Sequence, residues 1–329
     1  MQTNKEIVLK VDHLSKIFPI KHHLLGHKVG QVSAVNDVSF TLYKGDTLGL
    51  VGESGCGKTT LGRTVLRLIE PTDGRIIFDG IDITHCSASQ MRNIRRKMQI
   101  IFQDPYAALN PRMSIYKILE EPIEIHRLAD SKAAFIQRIY KLLDYVQLPK
   151  AVLCKYPHEL SGGQRQRICI ARALAVEPTF IVCDEAIAAL DVSVQAQVIN
   201  LLMDLQQELD LTYLFISHDL RVVKFIANDV AVMYLGKIIE AAPAEEIYQN
   251  PKHPYTKALF SAIPTLDPSK SRERIILQGA VPSPRELPTG CYFHPRCWKA
   301  TEKCHNLDPA LIKLEEENHE VACHFPETN

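Results

Sequence analysis

Nine consecutive residues carry the clearest chemistry in the chain: Gly52-Glu53-Ser54-Gly55-Cys56-Gly57-Lys58-Thr59-Thr60. Glycines at these positions let the backbone curl so that successive N–H groups point inward, toward a polyphosphate. A lysine at position 58 can reach β- and γ-phosphates, and the Thr59 hydroxyl can ligate Mg²⁺. Such a loop works only between a strand and a helix. The apolar run Thr47-Leu48-Gly49-Leu50-Val51 supplies the strand. Leu61 to Leu66 has helical spacing, and the positive end of that helix adds to anion binding.

A second set of residues lies downstream. Thr179-Phe180-Ile181-Val182-Cys183 reads as a buried parallel strand, and it ends in Asp184-Glu185. Carboxylates at the tip of a buried strand are costly unless they have a task. Strand C-termini are where open α/β sheets bind ligands. Asp184 suits a Mg²⁺ ligand, and Glu185 suits a general base for an attacking water. Asp191 follows closely. Leu211 to Ile216 is another buried strand, ending in Ser217-His218-Asp219, so His218 could reach the same site. Gln103 ends the strand candidate Lys97 to Phe102. In Leu160-Ser161-Gly162-Gly163-Gln164, Ser161 is an N-cap, and the glycine pair would expose backbone N–H groups to an anion.

The elements around these motifs predict an α/β protein. Strands are expected at Ile7–Val11, Val32–Tyr43, Arg75–Gly80, Val230–Tyr234 and Lys237–Glu240. Between about 114 and 160 the spacing is helical with no convincing strand, so an all-helical insertion is expected, as a subdomain at about 104–175. Gln195 to Leu209 forms an amphipathic helix. Arg92, Arg95, Arg96 and Lys97 read as a solvated helix face. His22, His23 and His27 read as a solvated loop, and Phe18 as a loop aromatic that could stack on a base, although taken alone it reads rather as a residue buried in the core. From residue 243 prolines punctuate the chain, with one good helix at Tyr255–Ala262. We therefore divide it into a domain at 1–242 and a small, core-poor extension at 243–329.

Composition is that of an ordinary globular protein: 329 residues, 46% hydrophobic and 23% charged. Thirty-eight basic residues balance 38 acidic ones, which argues against a dedicated nucleic-acid binder. The N-terminus lacks the apolar core of a signal peptide, and no run approaches the ~18 apolar residues of a membrane span. Of nine cysteines, Cys56, Cys86, Cys154, Cys169 and Cys183 are scattered. Cys291, Cys297, Cys304 and Cys323 crowd the final 39 residues, with five, six and eighteen residues between them. This spacing lacks paired C-x-x-C knuckles, so it does not indicate a zinc ribbon. Four thiolates can hold a [4Fe–4S] cluster, and zinc or free thiols and disulfides remain open.

The ordered set of phosphate loop, Gln103, Leu-Ser-Gly-Gly-Gln, Asp184-Glu185, Asp191 and His218 resembles the nucleotide-binding subunit of ABC transporters over residues 7 to about 240. The resemblance implies a P-loop NTPase of the ABC cassette type, with a mixed sheet, the helical insertion and a Cys-containing extension. It implies ATP and Mg²⁺ as cofactors, with Phe18 on adenine, Gly52 to Thr60 on the phosphates, and Thr59, Gln103 and Asp184 around Mg²⁺. Glu185 and His218 would serve hydrolysis together with Lys58 and Gln103. Ser161, Gly162, Gly163 and Gln164, with Asp191, would act across a dimer in which two subunits sandwich two ATP molecules. One departure stands out: Ala186-Ile187-Ala188-Ala189 occupies the turn where the family usually has proline and serine or threonine.

Three further runs resemble the bacterial dipeptide/oligopeptide importers, and most of all the F-type ATPase of the pair. They are Asp104-Pro105-Tyr106-Ala107-Ala108-Leu109-Asn110-Pro111-Arg112, Asn250 to Leu259, and Gly279 to Pro284. The implied partners are a second homologous ATPase (a heterodimer, or else a homodimer), two transmembrane permease subunits and, through them, a peptide-binding protein, with no nucleic acid. The implied location is peripheral, on the cytoplasmic face of the inner membrane. Members with this cysteine pattern are implied to carry a [4Fe–4S] cluster at the four C-terminal cysteines. Relatives serving nickel, glutathione or antimicrobial peptides are the alternative, as is a soluble ABC ATPase outside transport.

Overall fold

In the computed structural model, residues 5–21, 28–263, 273–314 and 318–327 are described. The histidines 22, 23 and 27 lie outside them. The chain forms two compact units: residues 1–8, 43–46 and 85–216 make the first, and residues 9–42, 47–84 and 217–329 the second.

The first unit is built on three parallel strands, with Phe180–Asp184 between Met98–Ile101 and Thr212–Ile216. Phe180–Asp184 and Thr212–Ile216 are buried along their whole length, as their unbroken apolar sequence requires. The rest of the unit is helical. Ser87, Asp104, Ser114, Ser131, Ser161 and Asp191 each stand at a helix N-cap with a side-chain oxygen accepting a backbone N–H. The helix after Asp191 runs from Val192 to Leu209, three residues earlier than its sequence pattern suggests, because Asp191 caps it. The basic cluster is only partly a solvated face. Arg95 and Arg96 are half-buried, and Arg96 Nε donates to the Val176 carbonyl at 3.2 Å, at the end of the helix Gly162–Leu174.

In the second unit, Thr47–Val51 runs parallel to Asp229–Tyr234, and Lys237–Pro243 pairs antiparallel with the latter, so the sheet is mixed. Glu320–Val321 adds an antiparallel strand to Lys237–Pro243, and Ile312–Lys313 pairs with it in turn. The C-terminal segment is thus stitched into the same unit as the phosphate loop. A second sheet is ordered Lys28–Tyr43, Ile7–Lys21, Asp73–Phe78, Ile81–Asp82. Phe18 lies in its strand Ile7–Lys21 rather than in a loop, 37% exposed, with Lys16 Nζ 4.9 Å from the ring centre.

The expectation of a core-poor extension does not hold. Tyr255 and Phe293 are fully buried against Tyr234, with ring centres 4.8 and 5.4 Å from it. Phe260 stacks on Tyr248 at 4.4 Å. These aromatics are spread singly among prolines, so no periodicity announces them. Beneath them the fully buried Glu240 accepts from the N–H groups of Lys252 at 2.6 Å and His253 at 2.9 Å. His319, also fully buried, places Nε2 2.6 Å from the same carboxylate.

His253 caps the helix Pro254–Ser261, its Nδ1 accepting the Tyr255 N–H at 3.0 Å. Burial pushes its pKa from 6.5 down to about 4, although Glu240 nearby pulls the other way. Below pH 6.5 the unfolded chain takes up a proton that the folded one refuses. Stability therefore falls as pH drops from 6.5 toward 4. His253→Asn keeps a capping acceptor but cannot titrate. In urea unfolding at pH 6.5 and 4.5, it should lose about 2 kcal/mol less than the parent.

Candidate functional site

The phosphate loop leaves the buried strand Thr47–Val51 and enters the helix Lys58–Val65. Gly57 is the N-cap of that helix, with φ 107°, and a Cβ there would stand 2.0 Å from the Ala34 carbonyl oxygen. No side chain fits that turn, which is why the position needs glycine. The Cys56 carbonyl accepts the Gly236 N–H at 2.8 Å, tying the loop to the turn after Asp229–Tyr234. Lys58 is 4% exposed and folds back on the loop, its Nζ donating to the carbonyls of Gly52 at 2.8 Å and Glu53 at 3.0 Å. The ammonium is thus held against the backbone of the loop's own first turn. Cys56 is buried, and burial raises its thiol pKa.

In the other unit, Asp184 is 2% exposed at the end of its strand. Glu185 follows with φ 49°, in the left-handed region that costs a non-glycine residue of order 1 kcal/mol. Its N–H donates to the Ile216 carbonyl at 3.0 Å, and its Oε2 accepts from Gln103 Nε2 at 2.9 Å. The structure therefore brings together two residues that are 82 positions apart. The strained backbone turns the carboxylate out of the strand, and the glutamine orients it. Ala186 and Ile187 are buried, and the turn closes through Ala188 N–H to the Glu185 carbonyl and Leu190 N–H to the Ile187 carbonyl. The unusual alanine run thus forms an ordered turn that needs no proline. Asp191 accepts from Ser193 Oγ at 2.7 Å and the Val194 N–H at 2.9 Å, and these bonds hold its carboxyl below the usual range. His218, in the second unit, is exposed just after Thr212–Ile216.

Ser161 caps the helix Gly162–Leu174 in a capping box with Gln164, and Ser161 and Gly162 are exposed at its tip. Gly163 faces inward: a Cβ there would lie 2.5 Å from Val194 Cγ1. The helix anchors the insertion with three arginines. Arg165 Nε donates to the Pro157 carbonyl at 2.7 Å, Arg167 Nη1 to Val146 at 2.8 Å, and Arg172 Nη1 to Ala108 at 2.6 Å.

Cys291, Cys297, Cys304 and Cys323 line one pocket in the second unit, with His253, Phe293, His294 and His324 among its walls. All four are free thiols. Burial pushes Cys291 and Cys323 up to about 11 and also raises Cys297. Among the described residues, no group of three or more His, Cys, Asp or Glu is spaced to hold a metal ion.

Two residues escape a reading of the motifs alone. Arg296 makes a two-pronged pair with Glu53, Nη1 to Oε2 at 2.7 Å and Nη2 to Oε1 at 3.1 Å, and the Tyr255 hydroxyl accepts the Glu53 N–H at 2.9 Å. The available signal was Glu53 itself. A carboxylate in a loop that takes phosphate needs a cation against it.

No helix among the described residues is long and apolar enough to cross a membrane. Residues 35–188 match the ABC transporter family model, and residues 239–304 match the oligopeptide/dipeptide transporter C-terminal region. The chain is 50% identical over 325 residues to the oligopeptide transport ATP-binding protein AppF of Bacillus subtilis, covering 98% of each. It is 55% identical over 279 residues to OppF of the same organism, covering 84% of this chain and 91% of that one. Among solved structures, cbiO1 from Clostridium perfringens, part of an ABC transporter complex, matches with a TM-score of 0.64 at 26% identity, over 74% of this chain and 92% of that one. The cassette MJ0796, described as a dimeric post-hydrolysis state bound to ADP and Pi, matches with a TM-score of 0.64 at 26% identity, over 72% and 98%.

The close approach of Gly163 to Val194 is directly testable. Gly163→Ala forces the helix tip and the Val192–Leu209 helix apart, and should lower stability by about 1–3 kcal/mol in urea unfolding. Unchanged stability would mean that the two helices are not packed this tightly.

Proposed function

The chain belongs to the ABC transporter family and carries the oligopeptide/dipeptide transporter C-terminal region, and from that premise we propose that it powers the import of di- and oligopeptides. It is an ATPase of the ABC type, a class that works as dimers against transmembrane permease subunits. In our reading Lys58 and the N–H groups of residues 52–60 bind the phosphates and Phe18 stacks on adenine. Thr59, Gln103 and Asp184 surround Mg²⁺, Glu185 is the general base, and His218 contacts the γ-phosphate. Ser161 and Gly163, with Gly162, Gln164 and Asp191, serve the nucleotide of the opposite subunit. That subunit is a homologous ATPase, the permeases receive peptide from a binding protein, and the protein sits on the cytoplasmic face of the inner membrane.

One observation carries the hydrolytic assignment. Glu185 is held in a strained backbone conformation with Gln103 on its carboxylate, as a base aimed at one water would be. Glu185→Gln should lower ATP turnover by about 10²–10⁴-fold and trap ATP-bound dimers in size-exclusion chromatography. Turnover at the parental rate would remove Glu185 from the role of base.

For the four cysteines we favour a [4Fe–4S] cluster. Soft donors converge on one partly buried pocket, which suits iron and sulfide. In such a cluster Cys291, Cys297, Cys304 and Cys323 would each supply one thiolate. Thiols bind such a cluster as thiolates, so loading would release protons. Protein purified without oxygen should be brown, with iron and acid-labile sulfide near four per chain. A colourless protein with stoichiometric zinc overturns the assignment.

A further inference from the structure

Glu53 places a negative charge in the loop that would receive a polyphosphate. Like charges at such range repel strongly where water is partly excluded. The C-terminal segment answers that charge. The Arg296 side chain is 7% exposed and the Glu53 side chain 29%, and the two meet through a pair of parallel hydrogen bonds. The pairing keeps the guanidinium protonated and raises its pKa further. Glu53 is gripped at two more points, its N–H by the Tyr255 hydroxyl and its carbonyl by Lys58 Nζ. Arg296 is itself held in place. It ends the single turn His294–Arg296, its N–H bonded to the Phe293 carbonyl at 3.0 Å, and Phe293 is 1% exposed among Tyr234 and Tyr255.

We propose that Arg296 is a positioning residue for ATP binding. It neutralises Glu53 and holds the first turn of the phosphate loop in its receptive shape, so the C-terminal segment sets the affinity for nucleotide. The inference rests on the reading of residues 52–60 as the phosphate loop. A fork that only stapled the segment in place would govern stability and leave affinity alone.

The test is equilibrium binding of a fluorescent ATP analogue with Mg²⁺ to the full chain. It compares the parent with Arg296→Gln, Arg296→Lys, Glu53→Gln and the Arg296→Gln/Glu53→Gln double variant. Arg296→Gln should weaken binding about tenfold, because the carboxylate is left bare beside the phosphates. Arg296→Lys keeps the charge and loses the fork, so it should weaken binding about threefold. In the Glu53→Gln background, Arg296→Gln should have almost no further effect. Parental affinity in either Arg296 variant, or an equal loss in both backgrounds, overturns the proposal. If Arg296→Gln does not fold, Arg296→Lys decides alone. Lys58→Ala run alongside separates the two readings. Parental binding in that variant removes the phosphate-loop assignment itself. Lost binding there with parental binding in Arg296→Lys removes only the role of Arg296.

Discussion

A carboxyl group with no exposure must be met by hydrogen-bond partners, and Glu240 is such a group. It gathers the N–H groups of Lys252 and His253 and the ring of His319. These three contacts fix the chain where it leaves the sheet after Lys237–Pro243 and where it returns at Glu320–Val321. The helix that starts at Pro254 is launched from this point, and Tyr255 on its first turn reaches the phosphate loop. The Tyr255 contact to the loop therefore depends on a buried carboxyl group that does not itself touch the loop. Removing one partner from such a group typically costs ~3–5 kcal/mol.

The other unit is ordered by a different logic. Its helices begin on short polar side chains that satisfy their own first N–H groups, and two of those side chains belong to the motifs. Ser161 and Asp191 both cap helices here. A residue assigned to nucleotide chemistry can thus also set the start of an element. In Glu185 the same economy appears as strain, since a left-handed conformation at the end of a buried strand is what directs the carboxylate outward.

Much of this was legible because it is local. Apolar runs ending in Asp184-Glu185 or Ser217-His218 announce strands with functional tips, and Ser161 before two glycines announces a helix start. What stayed hidden joins residues far apart in the chain. Arg296 and Glu53 are 243 positions apart, Tyr255 and Glu53 are 202, and His319 and Glu240 are 79. No periodicity encodes such pairs. Phe18 reads as a loop residue because it stands just ahead of a stretch rich in His, Lys and Gly. The strand Ile7–Lys21 nevertheless continues past Ser15↔Asp73, its last paired position with Asp73–Phe78.

The three arginines along Gly162–Leu174 grip the carbonyls of Pro157, Val146 and Ala108. These carbonyls lie on three separate segments of the insertion, so the helix that begins at the Ser161 cap is tied to the insertion at three points spread along its length, and each tie satisfies a backbone carbonyl that the loops would otherwise leave open.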